Sequence, residues 1–358
     1  MKILIPLLGF GKGGGNRVLS KLADGFISHG HSVSFLVPYY SDEPYFPTNA
    51  EIMWVDKKGM IKRSKPEASA TGNFLKIAYL LYTGLRSLRN AQFDVIFANH
   101  SLTTYPVKYS GIKGRLVYYI QAYEPEYYQL IKGIKNRVLE YLSKRSYSFN
   151  FVKIVNSHLY CSYKEINTDK IVNPGIDLST FHPKSHTQNT GRTKWRLGTI
   201  ARHEPQKGTQ YILEAYRKLR DQRDDIELVL AFGDDDLADE KENISVTKPD
   251  GDANLAAFYR SIDVYICAGT VQHGAVHYPI IESMASSTCV ISTPYYPLSC
   301  NNGYLISPND VPAIINAINH VLAEPDSVVK DKIQNGLFTI KQFSWPHVTQ
   351  KMLNYLAK

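Results

Sequence analysis

Three short stretches of this chain carry residue types at spacings that suit phosphate and sugar chemistry. The first, at residues 9–17, reads Gly9-Phe10-Gly11-Lys12-Gly13-Gly14-Gly15-Asn16-Arg17 and joins an apolar run to a helical pattern. Glycines let backbone N–H groups close on a phosphate, and the helix start beyond them favours negative charge. Gly13, Gly14, Gly15 and Asn16 are therefore candidate anion-binding residues. A dinucleotide-binding turn has a similar look, but it needs an acid near the end of the second strand to hold a ribose hydroxyl. Here that strand ends Leu36-Val37-Pro38-Tyr39-Tyr40, with no acid before Asp42. A nicotinamide cofactor is not expected.

The second stretch joins a strand pattern to a helix through Arg202, Lys207 and Gly208. Open α/β sheets bind ligands at the carboxyl ends of their strands. A guanidinium fork and an ammonium placed there suit a diphosphate. The third stretch includes His273, Gly274, His277, Pro279 and Glu282. Pro279 suits the first turn of a helix, where its missing N–H costs nothing. Glu282 is expected in that same first turn, favoured by the helix dipole. Its carboxylate could there accept two hydroxyl hydrogen bonds, for example from a ribose.

The elements that must position these residues follow from hydrophobic periodicity. Residues 2–8 form a continuous apolar run, as expected of a parallel strand buried on both faces. Val18, Leu19, Leu22, Ala23 and Phe26 then share one helical face, and Gly30 supplies a stop. Later strands are expected at 32–37, 94–98, 115–120 and 152–156. The pattern restarts at 196–201, followed by a helix capped by Thr209 with Ile212, Ala215, Tyr216 and Leu219 inward. Strands at 226–232, 264–267 and 289–293, a short helix at 279–285 and a terminal helix at 345–357 complete the reading. Strands alternating with helices, twice begun, argue two α/β domains with parallel sheets. A polar linker is expected around 177–192.

Composition agrees. The chain has 358 residues, enough for about two domains at roughly 100–200 residues each. Hydrophobic residues at 44% and charged residues at 21% exclude a disordered chain. No apolar run reaches the roughly 18 residues of a membrane span. Cys161, Cys267, Cys289 and Cys300 are too few and scattered for a disulfide scaffold, and no spacing suggests a metal site. Cys267 and Cys289 are expected as buried thiols. The apolar opening reads as a first strand rather than a signal peptide, which points to a cytoplasmic protein.

Of the net charge of +8, the first half carries the excess: residues 1–185 hold 24 Lys and Arg against 13 Asp and Glu. The remainder holds 17 against 20. Basic residues concentrate at 57–89 and 132–153, interleaved with Leu, Ile and Tyr, a mixture suited to an anionic membrane face or an anionic acceptor. No zinc-finger, RRM or KH signature appears, so no nucleic-acid partner is expected.

Six pieces occur in order: Gly13-Gly14-Gly15-Asn16-Arg17-Val18, Asn173-Pro174-Gly175-Ile176-Asp177, Arg202 with Lys207-Gly208, Pro279-x-x-Glu282-x-Met284-Ala285, Asn302-Gly303-Tyr304-Leu305 and Phe343-Ser344-Trp345. Together they run from the first strand to the final helix. This set resembles the retaining family-4 nucleotide-sugar glycosyltransferases of GT-B architecture. The resemblance implies an α/β fold of two Rossmann-like, doubly wound parallel-sheet domains facing a cleft. Residues 1–185 would form the acceptor-side domain and 186–342 the nucleotide-sugar-binding domain. Residues 343–358 would form a helix crossing back to the first domain.

By the same similarity Arg202 and Lys207 would hold the donor diphosphate and stabilise the leaving nucleotide, the work a divalent metal does elsewhere. No metal and no cofactor beyond the donor substrate would be needed. Glu282 would hold the ribose, and the loop of Gly13, Gly14 and Gly15 would close over the phosphates. His100 matches a recurrent histidine of the family. Gln121 stands where the family often has a catalytic-site histidine. With Tyr123 and Glu124 it makes a Gln-x-Tyr-Glu version that resembles a subgroup acting on bacterial surface polysaccharides, including rhamnosyl transferases. Gly274 falls where the family carries the first of two glutamates, and His277 where it usually has glycine; with one residue inserted, His273-Gly274 would instead take the Glu-Gly place.

The expectation is thus a cytoplasmic, retaining glycosyltransferase, peripheral on the inner membrane face. It would move a hexosyl or deoxyhexosyl group from a nucleotide diphosphate donor to a growing, lipid-linked or membrane-proximal surface glycan. Arg202, Lys207, His100 and Gln121 are its expected catalytic groups. Gly13, Gly14, Gly15, Asn16, Gly274, His277 and Glu282 are expected on the donor, Tyr123 and Glu124 on the acceptor side. The alternatives are a non-catalytic partner in a polysaccharide assembly complex and a nucleotide-sugar epimerase of the same architecture.

Overall fold

The structure is a computed structural model that describes residues 1–67, 73–130, 132–183 and 194–357. The chain divides into two units, Met1–Gly175 with Trp345–Lys358, and Ile176–Ser344. In the first unit β1 (Lys2–Pro6), β2 (Ser32–Pro38), β3 (Glu51–Val55), β4 (Ile61–Lys62), β5 (Val95–Ala98), β6 (Arg115–Ile120) and β7 (Val152–Val155) make one sheet. Its order is β4-β3-β2-β1-β5-β6-β7. All neighbours are parallel except β3 and β4. Ile3, Leu4 and Ile5 of β1 are at most 1% exposed, which is why that run carries no polar alternation.

Five helices cover this sheet: α1 (Gly14–Ser28), α2 (Phe74–Ser87), α3 (Ser101–Tyr109), α4 (Glu124–Gln129) and α5 (Ile134–Ser146). Right-handed crossovers put α1 on one face and α2 to α5 on the other. Helix α2 packs on α3, and α3 on α5. Val18, Leu19, Leu22, Ala23 and Phe26 are the buried side of α1, as their spacing predicts. Gly30, at φ +79°, follows the helix end in the left-handed conformation that suits glycine.

The second unit repeats the theme. β8 (Trp195–Ile200), β9 (Ile226–Ala231), β10 (Ile244–Thr247), β11 (Val264–Cys267), β12 (Cys289–Ser292) and β13 (Tyr304–Leu305) form an all-parallel sheet. Its order is β10-β9-β8-β11-β12-β13. Around it lie α6 (Thr209–Arg220), α7 (Gly251–Ser261), α8 (Tyr278–Ala285), α9 (Val311–Ala323) and α10 (Asp326–Ile340). Cys267 and Cys289 are buried thiols in this sheet, as expected.

The polar stretch expected as a linker is only partly one. Phe181 within it, like Ile176 just before it, is packed in the second unit's core, because a large apolar side chain is stabilised by leaving water. Residues 184–192 of that stretch lie outside the described residues. The chain enters and leaves the second unit side by side: Ile176 pairs with Ser344, and the Ile176 N–H donates to Phe343 O at 2.7 Å. Beyond Ser344, α11 (Trp345–Leu356) belongs to the first unit and packs on α1. A Cβ on Gly25 of α1 would lie 2.3 Å from Thr349 Oγ1, so glycine is what lets these helices meet.

Met352 of α11 is fully buried. Met352→Ala should cost about 2–5 kcal/mol through lost burial and a residual cavity, read as a lower urea midpoint. An unchanged midpoint would mean that α11 does not hold the first unit together.

Candidate functional site

Each sheet reverses direction beside its opening strand, β1 in the first unit and β8 in the second. Loops leaving the carboxyl ends there diverge and open a crevice. In the first unit that crevice is a cavity of about 330 Å³. Its lining includes three strand ends and two helices: Leu8 and Gly9 after β1, Asn99 and His100 after β5, Gln121 after β6, Gly15 and Asn16 in α1, and Glu124 in α4. Five expected residues, Gly15, Asn16, His100, Gln121 and Glu124, are therefore brought together.

Backbone demands explain their positions. Helix α1 begins after Gly13 with no side-chain cap and no acid in its first turn. Its first N–H groups are thus left for solvent or an anion. Gly13 and Gly14 are exposed at that turn. A Cβ on Gly15 would stand 3.4 Å from both the oxygen and the nitrogen of the Gln121 carboxamide. Glycine thus lets the helix start approach Gln121.

His100 caps α3. Its Nδ1 accepts from the Leu102 N–H at 3.1 Å, so the neutral ring carries its proton on Nε2. Thr103 Oγ1 accepts from both the Asn99 and His100 N–H groups at 3.2 Å. Asn99 Nδ2 donates to Pro6 O at 2.8 Å, tying the end of β5 to that of β1. Sequence reasoning missed Asn99; an amide directly after an apolar strand was the available signal.

Tyr123 and Glu124 are placed differently from the open groups of the cavity. Glu124 is 7% exposed. Its carboxylate accepts from the Ser101 N–H at 3.2 Å and the Tyr147 hydroxyl at 2.6 Å, with Tyr118 at 3.4 Å. Burial and the neighbouring Glu124 charge hold the Tyr147 phenol far above its ordinary range. Glu124 therefore braces α3, β6 and α5 from within. The Tyr123 ring stacks between Tyr147 and Tyr163, with centroids 5.7 and 4.1 Å away. Burial, aided by Glu165, pushes its phenol up to about 12.

In the second unit the loops after β8 and β11 carry the expected residues. Arg202 and Lys207 are both exposed. Thr209 does not cap α6, contrary to expectation: Gly208 holds the cap position and Thr209 is the first helical residue. The Thr209 hydroxyl instead accepts from the Arg202 N–H and donates to the Arg202 carbonyl, each at 3.0 Å. Those two bonds fix the Arg202 backbone. Gly208 has φ +76°, and a Cβ on it would lie 2.0 Å from Ala268 O. Only glycine fits, so the two loops touch at backbone distance. Thr270 N–H donates to Gln206 O at 2.9 Å and laces them further.

His277 is half-buried. Its ring stacks on Tyr295 at 4.6 Å, and its Nδ1 lies 3.8 Å from Cys267 Sγ. Loss of water pushes its pKa from 6.5 down to about 3, with the positive charges of Lys207 and Arg202 adding to the effect. The imidazole is thus neutral and shares an electrostatic neighbourhood with both cations. Gly274, at φ +89°, turns the same loop and donates its N–H to Pro294 O at 2.7 Å. His273 Nε2 lies 2.9 Å from Gly269 O, so this nitrogen carries the proton.

Glu282 is not in the first turn of α8. The helix starts at Tyr278, which puts Glu282 one turn further in, 2% exposed, where it accepts from the Tyr259 hydroxyl at 3.0 Å. The proline signal located the helix but not its first residue. Among the described residues, no group of three or more His, Cys, Asp or Glu could hold a metal ion, and no helix is long and apolar enough to cross a membrane.

Comparison with known proteins agrees with this geometry. Residues 194–324 match the family Glycosyl transferases group 1. No curated protein matches the chain. Among solved structures, sucrose-phosphate synthase from Thermosynechococcus elongatus is 16% identical with a TM-score of 0.75, covering 99% of this chain and 98% of that one. HepE of Anabaena in complex with UDP is 16% identical with a TM-score of 0.73, covering all of both chains. TarM is 10% identical with a TM-score of 0.70, covering 100% of this chain and 99% of its own. The chain therefore has the GT-B fold that its motifs resemble, with a group 1 glycosyl transferase segment spanning most of the second unit.

Gly208→Ala should disorder the Arg202–Lys207 loop and lower stability by more than about 1 kcal/mol, since the φ and the close contact both oppose it. Equal stability would contradict the approach to Ala268. His277 should show no imidazole titration step between pH 7 and 4.5. The unfolded chain takes up a proton near 6.5 and the folded one does not, so the stability contributed by neutral His277 is lost as pH falls from about 6.5 toward 3. His277→Gln should flatten that dependence in urea unfolding at pH 7 and 4.5, and parallel curves would refute the shift.

Proposed function

We propose that this chain is a glycosyltransferase that moves a sugar from a nucleoside diphosphate donor to a hydroxyl of a glycan acceptor, with retention of anomeric configuration. The observation that carries the reading is the loop of Arg202 and Lys207. Gly208 and Thr209 clamp it at the carboxyl end of β8, where the sheet reverses. Two fixed cations there suit a diphosphate, and the neutral His277 beside them adds no third charge. The group 1 match over residues 194–324 supports the same assignment. HepE, of the same fold, has been seen with UDP and with UDP-glucose.

In this proposal Arg202 and Lys207 take the charge that develops on the departing diphosphate, so that no metal or further cofactor is needed for it. The bond from the anomeric carbon to the phosphate oxygen breaks as the bond to the acceptor oxygen forms on the same face. The acceptor proton passes to the departing phosphate. Gly274 and His277 border the donor, and Glu282 supports its ribose end from within α8. Gly13, Gly14, Gly15 and Asn16 offer the phosphates the bare start of α1. His100, through Nε2–H, and Gln121, through its carboxamide, are hydrogen-bond donors to sugar hydroxyls in the first-unit cavity. Tyr123 and Glu124 serve the acceptor side by holding that cavity's wall in place.

Thermal shifts with UDP, GDP, dTDP and ADP test the reading. A ligand at about 100 times its Kd adds roughly 2.7 kcal/mol. Arg202→Ala and Lys207→Ala should each weaken binding by about tenfold to a hundredfold, the worth of roughly 1.5–3 kcal/mol per charged hydrogen bond. Wild-type binding that survives both substitutions would remove the donor assignment.

A further inference from the structure

The two helical faces of the first unit differ in what they show to water. Among the described residues, neither α1 nor α11 carries a large apolar side chain that is exposed. On the opposite face Leu75, Tyr79, Tyr109, Ile134, Val138 and Tyr141 are 49–83% exposed, spread over α2, α3 and α5. Single exposed apolar residues are ordinary; a whole layer of them is not.

Helix α5 carries the sharpest case, because it has large apolar side chains on its outer side as well as its inner one. Its buried residues are Leu139, Ser143 and Ser146. Its outward stripe is Ile134, Val138 and Tyr141, at the i, i+4, i+7 spacing of one helical face. Leu130, at the end of α4, is also 63% exposed. The helix therefore turns Leu139 and two serines inward, holds Leu142 half-buried, and leaves three further large apolar side chains outward. Folding of the unit leaves that outer apolar surface in water, so it gains nothing from burial within the unit.

Charge says what covers the stripe. Lys132, Lys135, Arg137 and Arg145 flank it and are exposed. The one acid of α5, Glu140, is already bonded to Lys144 and Gln129. Helices α2 and α3 contain no acid, and of the two in α4, Glu124 is buried and Glu126 is half-buried and bonded to the Tyr163 hydroxyl. Two copies of such a face would repel each other, whereas apolar side chains ringed by cations fit an anionic bilayer. Long basic side chains can lie along the apolar stripe and keep their charges at the headgroups. The tyrosines suit the same interfacial depth.

We propose that the outer face of α2 to α5, centred on Ile134, Val138 and Tyr141, docks on an anionic lipid bilayer. The inference deepens the proposed function by placing its acceptor at a membrane surface, and it stands on observations separate from the donor loop.

Co-sedimentation with phosphatidylcholine vesicles, with and without about one quarter phosphatidylglycerol, tests it on the full chain. Wild type should pellet with the anionic vesicles and only weakly with the neutral ones. The combination Leu130→Ser, Ile134→Ser, Val138→Ser and Tyr141→Ser should weaken anionic-vesicle binding at least about tenfold. Exposed positions of this kind leave the fold intact, to be checked by circular dichroism and the UDP thermal shift. The combination Lys132→Gln, Lys135→Gln, Arg137→Gln and Arg145→Gln should remove the preference for phosphatidylglycerol. Phe338→Ser, an exposed apolar site in the second unit, should change nothing. Absence of wild-type pelleting, or equal pelleting of the serine variant, would overturn the proposal. So would a dimer in solution that the serine variant dissociates. A UDP shift retained alongside failed pelleting would reject the membrane face and leave the donor site standing.

Discussion

A parallel strand buried on both faces has no room for chemistry along its length. Polar groups there would lose water without gaining partners. Ile3, Leu4 and Ile5 in β1 obey that rule, as do Val264, Tyr265, Ile266 and Cys267 in β11. Chemistry must therefore collect where such strands end. It collects most where neighbouring connections leave in opposite directions, because nothing then covers the edge. Both units reverse beside their opening strand. The cavity at Gly15, His100 and Gln121 and the cationic loop at Arg202 and Lys207 follow from that topology.

An edge of loops is useful only if the loops cannot wander. Here each is held through its backbone groups. The left-handed turn at Gly208 sits against Ala268 O, and Thr209 grips both polar groups of Arg202. Thr103 does similar work for Asn99 and His100, and Asn99 itself reaches back to Pro6. Glu124 anchors the start of α3 through Ser101. The guanidinium, ammonium and carboxamide groups thereby stand on held backbones, as does the His100 imidazole, whose Nδ1 is itself engaged in capping α3.

Strands with uninterrupted apolar character were legible in the sequence, and β6 and β11 match their expected residues in full. The edge strands β4, β10 and β13, and β3 next to an edge, were not, because exposed and half-buried positions interrupt their pattern. Local motifs located the strand-to-helix loop of Arg202 and Lys207 but misjudged two details. Thr209 has the chemistry of a cap, yet the left-handed glycine before it took that place. Glu282 was expected at a helix mouth, but Tyr278 begins the helix and Tyr259, from a distant segment, meets the carboxylate. The role of Glu124 depends on Tyr118 and Tyr147 converging from β6 and the end of α5. No spacing near residue 124 could show that. The outward stripe of α5 is periodic in sequence, but periodicity alone does not say which face of a helix is buried.

The state of His277 follows from its company. An imidazole deprived of water beside two cations can lower its energy only by staying neutral. The loops after β8 and β11 thus meet an incoming anion with two positive charges and one neutral ring. That balance does not change across ordinary pH, since His277 would ionise only near 3. It does change when an anion arrives. A diphosphate between Arg202 and Lys207 would offset the charges that depress His277 and raise its affinity for a proton. By reciprocity, protonating His277 must then strengthen the hold on the diphosphate. On the proposed donor site, His277 would thereby couple diphosphate binding to its own ionisation, at a strength set by its distance from the phosphate.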